Sequence, residues 1–139
     1  MRKINKVILH CSSTRINQNF SIKHIERWHT DPKPKGNGWS KVGYHYYIRL
    51  NGEIEEGLSI DEKGIHCKGE NYDSIGVCLE GGYNPDGSKW SMCLDAQRKS
   101  LKKLLMKLGK ENPKITLHGH NEFSSKSCPN FKVKDLNFW

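Results

Sequence analysis

No apolar run in this 139-residue chain approaches the roughly 18–20 residues that a bilayer-crossing helix requires, so no membrane span is expected. A signal-peptide pattern is missing too. Arg2, Lys3 and Lys6 are followed only by Val7, Ile8 and Leu9, far short of an apolar core of roughly 7–15 residues. The sequence carries no internal repeat, no low-complexity tract and no block of like charges. Cysteine is sparse and scattered: Cys11, Cys67, Cys78, Cys93 and Cys128 make an odd count without framework spacing, which argues against a disulfide scaffold. A reduced compartment is expected, with Cys78 and Cys93 as small buried hydrophobes. Also absent is a His-Glu-x-x-His pair, which excludes the common zinc-protease helix.

What is present in excess is positive charge. Lys and Arg number 23 against 15 Asp and Glu, a formal net charge of +8. The lysines are spread along the whole chain, so most read as solvated faces. The remaining pull is toward acidic polymers, and no nucleic-acid motif accompanies it. A hydrophobic share of 35% and a charged share of 27% suit a globular protein. A chain near 150 residues buries most of its surface on folding, so one domain over residues 1–139, acting as a monomer, is expected.

Periodicity gives the class. Lys6–Cys11 reads as a short buried strand ending in His10. Ser21 is placed to cap a helix in which Ile22, Ile25 and Trp28 or His29 recur at helical spacing. Asp31–Lys41, rich in proline and glycine, is a loop. Tyr44–Leu50 is a strand, Asn51-Gly52 a hairpin turn with both residues tolerant of positive φ, and Glu53–Glu56 the return strand. Ser74–Leu79 is a core strand. Asp95 caps a helix whose Leu101, Leu104, Leu105 and Leu108 face the core, with Gly109 and Pro113 marking its end. Lys114–Leu117 is a last strand. Alternating strands and helices of this kind predict an α/β domain with a mixed sheet of about five strands flanked by helices.

The chemistry-bearing residues begin with metal-ligand types. His120 and Cys128 lie eight apart in a polar segment closed by Pro129, and His10 stands at a strand end, where α/β sheets gather ligands. A catalytic zinc ion needs three protein ligands and one open position. A strand-end histidine is also commonly just hydrogen-bonded, so on spacing alone both readings stand. His118, two residues before His120, competes for the same place because alternate strand residues share a face.

Four segments in register change that balance: Ile8-Leu9-His10-Cys11-Ser12-Ser13-Thr14, Val42-Gly43-Tyr44-His45, Asn71 through Ser74-Ile75-Gly76-Val77, and His120-Asn121-Glu122 with Lys126-Ser127-Cys128-Pro129. Together they resemble the phage lysozyme-type N-acetylmuramoyl-L-alanine amidases, relatives of the peptidoglycan recognition proteins. The resemblance implies His10, His120 and Cys128 as ligands of one zinc ion, and Tyr44 and Lys126 as catalytic residues. His66 and Asn71 would contact substrate. Two imidazoles and a thiolate leave a fourth zinc site for water, whose pKa can fall to about 7. Lys126 would supply charge to an oxyanion and Tyr44 would assist proton transfer or fix the water. Glu122 reads as a base or as a loop-stabilising acceptor, and Trp28, His29 and Trp39 as borders of the groove.

The implied reaction cuts the amide between the lactyl group of N-acetylmuramic acid and L-alanine of the stem peptide, with peptidoglycan or muropeptides as substrate. No nucleic-acid partner is expected. With no leader and no wall-binding module recognised before Trp139, the protein is expected to be cytoplasmic on synthesis and to reach the wall by other means, as a phage or prophage endolysin does. A muropeptide-binding module without activity, a cytoplasmic muropeptide-recycling amidase and a basic regulatory protein are the alternatives. The loss of a zinc ligand would mark the binding module.

Overall fold

Val7, Ile8 and Leu9 have no polar neighbour to alternate with, which is the pattern of a parallel strand covered on both faces. In the computed structural model, which describes residues 2–138, they lie fully buried in β1 (Lys6–Cys11). Met1 and Trp139, the ends of the expected domain, lie outside the described residues. The chain continues through β2 (Thr14–Arg15), α1 (Ile22–Thr30), β3 (Tyr46–Ile48), β4 (Ile54–Glu56), β5 (Ser74–Leu79), β6 (Gly82–Tyr83), α2 (Asp95–Glu111) and β7 (Thr116–Gly119). The main sheet has five strands in the order β4-β3-β5-β1-β7. β1 runs parallel to β5 and β7, β3 runs parallel to β5, and only β4 is antiparallel. This is the expected mixed α/β sheet. β2 and β6 pair as a separate parallel ribbon, too short to be read from sequence.

The two sheet faces divide the work. Val7, Leu9, Ile75, Val77 and Leu79 form one core with Leu101, Leu104, Leu105 and Leu108 of α2. Burying each leucine contributes about 1.5–3 kcal/mol. Alternation sends His10, Gly76 and Cys78 to the opposite face, where Cys78 packs with Tyr47, Val42, Leu58 and Ile25 of α1. Buried Gln97 stitches α2 to the sheet. Its Nε2 donates to the carbonyls of Ile48 and Glu80 at 3.2 and 2.8 Å, while its Oε1 accepts the Leu94 N–H at 3.0 Å.

Several boundaries differ from the sequence reading. Leu94, not Asp95, occupies the N-cap of α2, and Asp95 is its first helical residue, where its charge meets the positive end of the helix. Gly109 lies inside the last turn, and the helix runs to Glu111. β7 is Thr116–Gly119, not Lys114–Leu117, because register with β1 (Lys6 opposite Thr116) sets where pairing begins. The 44–50 strand is regular only over Tyr46–Ile48. The hairpin closes with a three-residue loop: Arg49 N–H bonds the Glu53 carbonyl at 2.8 Å and Gly52 N–H the Arg49 carbonyl at 2.9 Å. Only Gly52, at φ +91°, takes the left-handed conformation there, so the turn is a type I turn with a glycine bulge. Among the described residues, no helix is long and apolar enough to cross a membrane.

Candidate metal centre

Parallel pairing of β1 with β7 sets Leu9 opposite Gly119, so the next residue of each strand emerges at the same carboxyl edge. Those residues are His10 and His120, whose ring centroids lie 4.5 Å apart. The loop after β7 then returns Cys128. Asn121 builds that return, donating its Nδ2 to the carbonyls of Ser127 and Phe131 at 3.3 and 3.1 Å. Its backbone N–H reaches the Cys128 carbonyl at 2.9 Å, and Trp90 Nε1 fixes the Pro129 carbonyl at 2.8 Å. One ligand atom from each of His10, His120 and Cys128 lies within 4.8 Å of the others, a group able to hold a metal ion.

His118 does not join them. Its ring is held by Thr116 Oγ1 at 2.7 Å and Glu122 Oε1 at 2.9 Å, because His120 leaves the strand in a 3-10 turn while His118 stays within it. Glu122 also accepts the Gly119 N–H at 2.7 Å, so it holds the turn.

Burial sets the protonation of the trio. His10, 2% exposed, is pushed well below the ordinary imidazole range by desolvation, then by His66, His120, Lys126 and His29 around it. His120 is lowered by burial and by the Lys126 ammonium. Both imidazoles are thus neutral and ready to donate a lone pair. Cys128 Sγ lies 3.0 Å from the Cys11 N–H, a contact that favours a thiolate. The two thiols also perturb each other: contact with Cys128 lowers Cys11, and the same contact together with burial raises Cys128.

A cleft of about 880 Å³ opens over this edge, lined among others by Trp28, His29, Trp39, Tyr44, His66, Asn71, Phe123 and Lys126. The Tyr44 ring lies tilted against those of His10 and His29, with centroids 5.1 and 5.3 Å away. Burial, with the cysteines near it, holds its phenol protonated far above the usual range. His29 accepts the Gly43 N–H on Nδ1 at 2.9 Å, lies 4.7 Å from Trp39, and is pushed by burial to about 4. The Asp31–Trp39 loop folds back on α1 through the Asn37 and Trp39 N–H groups, and so delivers Trp39 to the cleft. Asn71 spends its Oδ1 on the N–H groups of His66 and Cys67 at 3.1 and 3.0 Å.

Two contributors escaped the sequence reading. His45, fully buried, takes the Gly76 N–H on Nδ1 at 3.0 Å and gives Nε2–H to the Glu62 carbonyl at 2.7 Å. Its place in Gly43-Tyr44-His45 was the available signal. Arg2 reaches the carbonyls of Ile60, Asn71 and Ser74 at 3.0, 3.3 and 3.1 Å, clasping the cleft-bordering loop; nothing in the sequence distinguished it from a surface charge.

A family model described as N-acetylmuramoyl-L-alanine amidase matches residues 1–131. The chain belongs to this family. The endolysin of Escherichia phage T7 is 38% identical over 128 residues, spanning 92% of this chain and 82% of its own length. Peptidoglycan-recognition protein SC1a of Drosophila melanogaster is 29% identical over 116 residues, which is 84% of this chain and 60% of that protein. Among solved structures, an endolysin N-acetylmuramoyl-L-alanine amidase from Clostridium intestinale superposes with a TM-score of 0.81 at 26% identity, covering 98% of this chain and 82% of the other. The amidase family and its fold therefore agree with the resemblance carried by the four sequence segments.

Proposed function

We propose that this amidase-family chain is a zinc hydrolase of the endolysin kind, cutting peptidoglycan between the lactyl group of N-acetylmuramic acid and L-alanine of the stem peptide. The observation that carries the reading is the convergence of His10, His120 and Cys128 at one edge of an open cleft. Two neutral imidazoles and a thiol are the donor set of a catalytic zinc site with one open position. Held there, zinc supplies Lewis acidity toward water and toward an amide carbonyl.

The chain's own groups do the rest. Tyr44, kept as a phenol beside His10, donates a hydrogen bond at the reacting centre. Lys126 brings a positive charge into the same cleft, where an oxyanion develops as the amide carbon becomes tetrahedral. Trp28, Trp39 and Phe123 offer apolar walls for sugar and peptide, and His66 and Asn71 border the path of the stem peptide. A full ligand set separates this reading from that of a module which only binds muropeptide. The relatives named endolysin favour a phage or prophage role.

The test is digestion of a purified muropeptide with product masses read directly. A free lactyl carboxylate and a peptide beginning with L-alanine support the reading, with activity lost in Cys128→Ser and after chelation. Binding without cleavage at any zinc level, or cleavage of another bond, overturns it.

A further inference from the structure

His66 has both ring nitrogens spent on protein. Its Nδ1 lies 2.9 Å from His10 Nε2, and its Nε2 lies 3.1 Å from Ser74 Oγ. The ring is fixed from other sides as well. The His66 N–H is tied to Asn71 Oδ1 at 3.1 Å. The ring packs on Gly76, where a Cβ would stand 2.6 Å from its Cγ. β1 and β5 pair Ile8 with Gly76 and His10 with Cys78, so His66 lies over the neighbouring strand on the same face as His10.

Two proton arrangements satisfy this chain of contacts. In one, Ser74 donates to His66 and His66 donates to His10 Nε2, which places the His10 proton on Nδ1 and leaves it no lone pair for a metal. In the other, His10 Nε2–H donates to His66 Nδ1 and His66 Nε2–H donates to Ser74 Oγ, leaving His10 Nδ1 free as a ligand atom. Only the second is compatible with metal held by His10.

We propose that His66, backed by Ser74 and seated on Gly76, is a positioning residue that fixes the tautomer and ring angle of His10, so that His10 presents Nδ1 to the metal. This rests on the metal-site reading above. His66 then acts on the reaction through His10, and the stem peptide meets at most the edge of its ring. Loss of such a partner weakens metal binding about 10–100-fold. Asn at position 66 can still accept the His10 proton, whereas Leu cannot.

The experiment compares wild type, His66→Leu and His66→Asn for zinc affinity, by competition with a chelator, and for the His10 imidazole resonances of the zinc-loaded 15N-labelled protein. The expected result is zinc affinity about 10–100-fold weaker in His66→Leu and within a few fold of wild type in His66→Asn. His10 should show a slowly exchanging Nε2–H in wild type that exchanges rapidly with water in His66→Leu. Equal zinc affinity in all three proteins, or a His10 proton on Nδ1, overturns the proposal. If His66→Leu does not fold, Ser74→Ala keeps the ring and its Nδ1 acceptor while removing the Nε2 partner. Faster exchange of the His10 Nε2–H then supports the proposal and an unchanged rate overturns it. A protein that shows this zinc dependence but cleaves no muropeptide keeps the positioning role and fails as an amidase.

Discussion

At the residue scale, Cys128 joins two pieces of chemistry, since its sulfur lies near both His10 and His120 and the Cys11 N–H. A cation there would favour ionisation of Cys128, because metal binds only the thiolate. Replacing Cys128 with Ser removes a soft ligand while leaving the fold's core intact. The expected outcome is loss of stoichiometric zinc by metal analysis and loss of muropeptide cleavage, with far-UV circular dichroism unchanged. Among the described residues Lys126 forms no ion pair with an acidic side chain, and its own N–H donates to Ser124 Oγ at 3.2 Å. Lys126→Ala is expected to lower kcat about 10²–10³-fold with little change in KM, the signature of charge needed in the transition state. A rise in KM at constant kcat would show that Lys126 binds substrate instead.

At the scale of elements, the site depends on β1, β5 and β7 being parallel neighbours and on α2 pressing them from one face. Gln97 makes that pressure specific, since its buried amide bonds the carbonyl of Ile48 in β3 and that of Glu80 just past β5. Gln97→Ala removes the Gln97 donor from the Glu80 carbonyl and opens a cavity, while the Ile48 carbonyl keeps the Glu80 N–H at 2.9 Å; the expected cost is about 2–4 kcal/mol. Urea unfolding monitored by fluorescence checks it, and a loss under about 0.5 kcal/mol would show that the bonds are replaceable by water. Glu80 is the companion case. Its carboxylate takes Arg49 Nε at 2.8 Å and the N–H groups of Leu50 and Phe20 at 3.0 and 2.8 Å, and so ties the hairpin to the segment leading into α1.

At the scale of the whole molecule, buried neutral histidines couple stability to pH. His29 and His45 are each held to about 4, chiefly by burial, against an unfolded value of about 6.5. A depressed imidazole pKa means the unfolded chain binds protons that the native chain refuses. Stability is therefore full above about pH 6.5 and falls as pH drops toward 4, by about 1.4 kcal/mol per pH unit for each such group. The metal-free protein is expected to melt at a clearly lower temperature at pH 5 than at pH 7, and an unchanged Tm would contradict the neutral assignment. On the proposed metal-site reading zinc would act in the opposite direction: at a hundredfold excess over Kd it would add about 2.7 kcal/mol. The Tm should rise with zinc in wild type and not in Cys128→Ser.

Much of the molecule was legible from residue pattern. The apolar run at Val7–Leu9, the leucine stripe of α2 and the strand Ser74–Leu79 declare themselves because burial demands hydrophobic side chains at fixed periods. The four segments in register pointed to His10, His120 and Cys128 as a group. Strand alternation alone leaves His118 and His120 on one face, while the eight-residue interval to Cys128 and the family register favour His120. In the structure the 3-10 turn after Gly119 and the contact with Glu122 set His118 apart from His10 and Cys128. The sequence could not place Cys128 against Cys11, His66 against His10 or Arg2 under the loop carbonyls, pairs separated by 117, 56 and up to 72 positions. Local pattern determined which segments are strands and helices, because propensity and burial period act over a few residues. Strand register and loop return decided which side chains meet, because those contacts exist only once the sheet has closed.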